Sequence, residues 1–128
     1  DVKRIVLCSG KVYYDLYARR EELGDKHTYF LRLEQLYPFP YQALEQELQN
    51  FRHVEEVVWC QEEPKNMGAW SFVEPHLEKA FADVKMKKVT RARYAGRKEA
   101  ASPATGLLKK HVLEQNALVD DALDVKSE

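Results

Sequence analysis

Val57-Val58-Trp59-Cys60-Gln61-Glu62-Glu63-Pro64-Lys65-Asn66-Met67-Gly68-Ala69-Trp70 decides the fold of this chain. Val57, Val58 and Trp59 are strand formers. Glu62 to Gly68 holds Pro64, Asn66 and Gly68, residue types that punctuate loops. Trp70, Val73, Leu77 and Phe81 then fall at helical spacing. The stretch predicts a buried strand, a charged loop and the start of a helix. In an open parallel sheet, loops of this kind form the edge at which ligands and partners bind.

The same alternation of strand and helix occurs four times along the chain. Arg4 to Cys8 predicts a short buried strand. Ser9-Gly10-Lys11 turns it into a helix with Val12, Tyr13, Leu16, Tyr17 and Leu23 on one face, ended by Gly24 as a left-handed cap. Thr28 to Leu33 alternates toward a second strand. Tyr37-Pro38-Phe39-Pro40 breaks it, with Pro40 suited to a first helical turn. Leu44, Leu48 and Phe51 mark an amphipathic helix.

In the third helix, Pro75 loses one hydrogen bond and crowds the preceding turn, at a cost of about 3 kcal/mol. That predicts a kink, or a short turn over 68–72 followed by a helix restarting near Glu74. Lys88 to Ala95 is the expected fourth strand, with Arg91 and Arg93 on one face and Thr90 and Ala92 on the other. Charge there fits a sheet edge. Gly96 to Thr105 reads as a loop. Ser102-Pro103 supplies a cap and a first-turn proline to a last helix, expected to carry Leu108, Val112, Val119 and Leu123 inward.

Strands alternating with helices imply a three-layer α/β/α fold around a mostly parallel sheet with right-handed crossovers. The expected strand order is second, first, third, fourth. The switch point then lies between the first and third strands, at Ser9-Gly10-Lys11 and Glu62 to Gly68. One domain is expected over 1–124, with a frayed tail over 125–128.

The composition is 45% hydrophobic and 32% charged, which favours a globular chain over a disordered one. Lys plus Arg number 20 and Asp plus Glu 21, a balance that disfavours a dedicated nucleic-acid binder. No apolar run approaches a membrane span, so no membrane partner is expected. Cys8 and Cys60 both lie in strand-like runs and read as reduced core thiols of an intracellular protein. The chain opens at Asp1 and enters a strand almost at once, which reads as an excerpt from a longer polypeptide.

Few residues carry chemistry. Ser9-Gly10-Lys11 offers amide donors at a helix start plus a cation, a generic anion-binding arrangement without a Walker or Rossmann glycine pattern. Arg91, Arg93, Arg97 and Lys98 form the densest basic cluster. Arginines there suit carboxylate or phosphate recognition. The plainer reading is a solvated edge paired with Glu62, Glu63 or Glu99. Glu62 and Glu63 are sequence neighbours and need not share a pocket. His27, His53, His76 and His111 are scattered, and no metal-ligand spacing occurs. The residues alone give an α/β domain without a catalytic set. That favours a scaffold or regulatory module over a free-standing nucleotide-binding module or a small thiol enzyme using Cys8 or Cys60.

Several blocks carry a resemblance. They are Val6-Leu7-Cys8-Ser9-Gly10-Lys11-Val12-Tyr13-Tyr14-Asp15-Leu16, then Arg32-Leu33-Glu34-Gln35-Leu36-Tyr37-Pro38-Phe39-Pro40, and the stretch from Trp59 to Trp70. Tyr94-Ala95-Gly96-Arg97 and Ala101-Ser102-Pro103-Ala104-Thr105-Gly106 follow. In this order they resemble the C-terminal domain of bacterial 2-oxoglutarate dehydrogenases, the thiamine-dependent decarboxylating component of that complex.

The resemblance implies a transketolase C-terminal-like fold. In that family an antiparallel strand precedes four parallel ones, upstream of the segment equivalent to Arg4, so one sheet edge is expected bare here. It also implies a cytoplasmic oxidoreductase of the tricarboxylic acid cycle. The parent decarboxylates 2-oxoglutarate with thiamine diphosphate and magnesium, and passes the succinyl unit to a lipoyl group on the second component. The cofactor motif is missing, since Gly24-Asp25 is followed by Lys26. Cofactor and catalytic residues are therefore expected in other domains, and this piece alone is expected inactive. The resemblance further implies a homodimer mate and, for some members, a regulatory nucleotide or acyl-coenzyme A. Lys11, Arg97 and Ser102 are the expected phosphate contacts, combining cations, a hydroxyl and helix starts.

Overall fold

Two strands built on unbroken apolar runs, Ile5 to Cys8 in Arg4–Cys8 (β1) and Val57 to Cys60 in Glu56–Pro64 (β3), form the middle of a parallel sheet, because both faces of those runs are covered. The computed structural model describes residues 1–99 and 108–125. Its remaining strands are Thr28–Arg32 (β2) and Arg93–Arg97 (β4), and the order is β2-β1-β3-β4 with every pair parallel. Register sets Leu7 beside Trp59 and Cys8 beside Cys60. The helices are Val12–Leu23 (α1), Tyr41–Gln49 (α2), Trp70–Val84 (α3) and Leu108–Ala122 (α4).

Alternation along the strands divides the core. Ile5, Leu7, Val57 and Trp59 pack with Leu44 and Leu48 of α2 and with Val73, Leu77 and Phe81 of α3. Val6, Cys8, Val58 and Cys60 pack on the other face with Val12 and Leu16 of α1 and with Leu118, Val119 and Ala122 of α4. The result is the expected three-layer fold with the expected strand order. Gly24 caps α1 as anticipated, its amide bonded to the carbonyls of Arg20 and Glu21.

Local boundaries differ from the sequence reading, each for a packing reason. The fourth strand is Arg93–Arg97, not Lys88 to Ala95, so Gly96 and Arg97 belong to the strand instead of looping away, with Arg97 paired opposite Pro64. Before it, Lys85 ends α3 in a left-handed conformation and Val89 drops into the core, which spends that segment on closure of the α3 side. Glu62 and Glu63 belong to β3, because β4 keeps pairing as far as Pro64 opposite Arg97, past an irregularity after Cys60. Pro40 stands at the N-cap of α2, just before its first turn, and Phe51 lies beyond the helix end.

α3 runs unbroken through Pro75, with no restart at Glu74. The proline leaves the carbonyl of Ser71 without its helical donor, and Ser71 is exposed to water. In α4 the inward stripe is Leu118, Val119 and Ala122, continued by Leu123, whereas Leu108 is 80% and Val112 46% exposed. The first half of that helix reaches beyond the apolar sheet surface. The amide of Val125 bonds the Asp120 carbonyl at 2.8 Å, and the expected cap at Ser102-Pro103 lies outside the described residues.

One buried amide fastens the end of β3 to α3. Gln61 is 3% exposed, and its Oε1 accepts from Trp59 Nε1 at 2.9 Å and from the Trp70 amide at 3.0 Å. Its Nε2 donates to the carbonyls of Glu63, Pro64 and Met67 at 3.1, 3.0 and 2.9 Å. Two glycines permit this closeness. Gly68 has φ +66, and a Cβ there would sit 3.0 Å from both Cβ and Oε1 of Glu63. A Cβ on Gly96 would lie 2.8 Å from the Gln61 carbonyl oxygen and 2.5 Å from the Tyr94 hydroxyl.

Gly96→Ala is therefore expected to lower unfolding free energy by about 1–3 kcal/mol through overpacking. Gln61→Leu should cost more, about 3 kcal/mol or above, since several buried polar groups lose their partner together. Urea midpoints of the two variants check the size and the order of these effects.

Candidate functional site

The carboxyl ends of β1, β3 and β4 meet α1 and α4 in a polar seam. Glu62 points to this side of the sheet and Glu63 to the other, so the neighbouring carboxylates serve different environments, as strand alternation requires. Lys11 Nζ pairs with Glu62 Oε1 at 2.9 Å. Gln115 Nε2 donates to the same oxygen at 2.8 Å and to Asp15 Oδ2 at 2.8 Å. Hydrogen bonding to Glu62 raises the Lys11 ammonium above its ordinary pKa. The Lys11 side chain is 78% exposed, so the pair is a surface contact and adds little stability.

Arg97 differs in kind. It sits at the end of β4 with its side chain only 8% exposed. Its guanidinium donates to the Glu62 carbonyl, to Glu114 Oε1 at 3.3 Å, to Gln115 Oε1 at 3.0 Å and to the His111 carbonyl at 3.4 Å. A planar fork with several donors suits such a divergent set of acceptors. Tyr94, on the opposite face of β4, donates to the Arg97 carbonyl at 2.5 Å, and burial pushes its phenol up to about 12.

The structure brings Lys11 and Arg97 together, since both bind Glu62, and Ser102 lies outside the described residues. The expected basic cluster does not hold together. Arg91 reaches Glu78 on α3, and Arg93 pairs with Glu56 and Asp121 at the opposite end of the strands, so of these three arginines Arg97 alone belongs to the seam. The acidic partners are thus Glu78, Glu56, Asp121 and Glu114, not the anticipated Glu63 or Glu99. Glu62 serves Arg97 through its carbonyl only. Sequence reasoning missed His111, Glu114 and Gln115. Their spacing, on the stripe that continues to Leu118, was the signal available.

Further along β1, the Gly10 amide is met at 2.9 and 3.1 Å by the carboxylate of Glu34. The anion position at the start of α1 is thus filled by the chain itself. Cys8 and Cys60 are fully buried neighbours. Burial pushes the Cys8 thiol up to about 12 and raises that of Cys60 as well. A nucleophile needs the opposite shift and an accessible sulfur, so the thiol-enzyme reading fails on both counts. Among the described residues, no group of three His, Cys, Asp or Glu side chains is placed to hold a metal ion. No described helix is long and apolar enough to cross a membrane.

Two measurements follow from this geometry. Alkylation of Cys8 and Cys60 at neutral pH is expected to proceed only as fast as the chain unfolds, read as mass added over time. Arg97→Met is expected to cost about 1.5–3 kcal/mol, because charged hydrogen bonds are lost while their acceptors stay partly buried. Amide exchange should then quicken first in the leading half of α4, which Arg97 and Gln115 hold down.

Comparison with known proteins gives a consistent picture. Residues 1–123 match the family described as 2-oxoglutarate dehydrogenase C-terminal. The 2-oxoglutarate dehydrogenase E1 components of Brucella anthropi, Brucella ovis and Brucella canis are each 61% identical over 122 residues, which is 95% of this chain and 12% of theirs. The chain thus spans about an eighth of the length of these curated relatives, 12%. With the family matched over residues 1–123 and 61% identity over 95% of the sequence, the chain belongs to the 2-oxoglutarate dehydrogenase C-terminal family.

Proposed function

We propose that this chain is the C-terminal lobe of a cytoplasmic bacterial 2-oxoglutarate dehydrogenase, acting as an interdomain and dimer scaffold and performing no chemistry of its own. The observation that carries this reading is the identity of 61% across 95% of the chain, set against 12% of each relative. An alignment of that shape fits one lobe of a much longer catalyst. The parent's reaction would be oxidative decarboxylation of 2-oxoglutarate with transfer of the succinyl unit to the lipoyl-bearing second component.

Thiamine diphosphate and magnesium would be held by other parts of that polypeptide. The residues present here do not fit them. Among the described residues no acidic cluster is arranged for a cation, and the two cations at the carboxyl edge are engaged by Glu62, Glu114 and Gln115. No step of the reaction is therefore routed through this lobe.

A regulatory role for the polar seam is part of the same reading. An anionic effector, a nucleotide or an acyl-coenzyme A, would meet exposed Lys11 first and compete with Glu62 for it. Arg97 would stand behind as the residue linking that event to α4, and Ser102 is the third expected contact.

Three outcomes test the proposal. The isolated chain, with thiamine diphosphate and magnesium added, is expected to release no carbon dioxide from 2-oxoglutarate, and turnover by it would overturn the scaffold assignment. A full-length protein carrying this lobe should release carbon dioxide under the same conditions. Calorimetric titration of that protein with AMP and with acetyl-coenzyme A should give heat from one of them, weakened in Lys11→Ala. Silence from both would remove the effector role.

A further inference from the structure

On the side of the sheet away from the polar seam, a cavity of ≈ 490 Å³ opens at the carboxyl ends of β1 and β3. Trp59 lines it, and Tyr37, Phe72 and Glu63 stand on its walls. Tyr37 is 83% exposed and Phe72 36%, with ring centroids 6.0 Å apart. Phe39 and His76 back the Phe72 ring at 6.5 and 4.8 Å, so this aromatic wall is braced from behind. Large rings left in water beside a formed cavity are typical of contact hot spots.

Glu63 is the charged member. Its carboxylate lies over Gly68, with Oε1 3.0 Å from the place a Cβ would take. Among the described residues it forms no ion pair, whereas Glu56, Glu62 and Glu114 each have a basic partner. The Gly10 amide, at this end of β1, is already taken by Glu34. The cavity therefore combines ring faces, which carry negative potential, with an unneutralised carboxylate. A cation stacked on the rings would meet an opposite charge in Glu63, whereas a phosphate or carboxylate would meet a like one.

We propose that this cavity seats a basic side chain, an arginine by preference, presented by a segment of the parent polypeptide lying outside these 128 residues. This rests on the reading that the chain is one lobe of a longer protein, for which the 12% coverage of its relatives is the support. A guanidinium stacks its plane on Tyr37 or Phe72 and offers paired donors to the Glu63 carboxylate, a combination an ammonium matches less well. The volume admits such a side chain together with part of the turn that carries it. Tyrosine and arginine are also the pair most enriched where interface energy concentrates.

The experiment uses the full-length protein with the substitution Tyr37→p-benzoylphenylalanine. After irradiation and digestion, the expected product joins this position to a peptide of the same polypeptide, outside this lobe, that contains Arg or Lys. Adding Glu63→Gln should cut the yield about threefold or more, since one desolvated charge loses its partner. The proposal is overturned by a cross-link to a second copy of this lobe, by a cross-link to a peptide without a basic residue, or by an adduct with a small molecule. The absence of any cross-link, or a yield unmoved by Glu63→Gln, overturns it equally. Decarboxylation of 2-oxoglutarate by the unsubstituted full-length protein separates the two readings. Activity without the cross-link sinks the docking site alone, and absence of activity sinks the parent assignment on which it stands.

Discussion

The carboxamide of Gln61 is the interaction on which the carboxyl edge of the sheet depends. A strand that stops at a tight loop leaves carbonyls and amides with nowhere to bond, and burying them unpaired costs more than the fold can absorb. Gln61 answers this with a single side chain. It accepts from the Trp59 indole and from the first amide of α3, and donates to the carbonyls of Glu63, Pro64 and Met67. Trp59 is thereby locked in the core between β1 and α3. The loop is pulled tight enough that Gly68 is needed beneath Glu63, and Gly96 is needed where β4 passes the Gln61 carbonyl.

That junction sorts the surrounding charges. Because β3 continues as a strand through Glu62 and Glu63, the two carboxylates are sent to opposite faces. Glu62 joins Lys11, Gln115 and Arg97 in a seam that ties β1, β3 and β4 to α4. Glu63 is left at an aromatic cavity with no counter-charge among the described residues. One face of the edge is therefore closed by its own residues, and the other leaves exposed rings and Glu63 around a cavity.

The seam also accounts for how α4 is attached. Its second half is held by Leu118, Val119 and Ala122 against the sheet, the ordinary apolar way. Its first half exposes Leu108 and Val112 and is held by His111, Glu114 and Gln115 through Arg97. Apolar packing offers a charged ligand nothing to bind, whereas a clasp of charged hydrogen bonds has partners that such a ligand can compete for. The helix thus joins a fixed anchor to an electrostatically adjustable one.

The β-α alternation, the strand order and the burial of both cysteines were legible in the sequence, because hydrophobic period and turn residues are local signals that burial only reinforces. The family was legible too, from peptide blocks spread over nearly the whole chain. Where β4 begins, the face each charged residue takes and the partners of Arg97 were not legible. Arg91, Arg93 and Arg97 look alike in sequence, yet one pairs with α3, one with the far end of the sheet and one becomes a buried clasp. What the sequence determined by itself was the order and kind of the elements, set by spacings within each segment. Only the tertiary structure decided which polar groups would be satisfied and by whom, because a hydrogen bond between Gln61 and Met67, or between Arg97 and Gln115, depends on strand register and loop closure that no local pattern encodes.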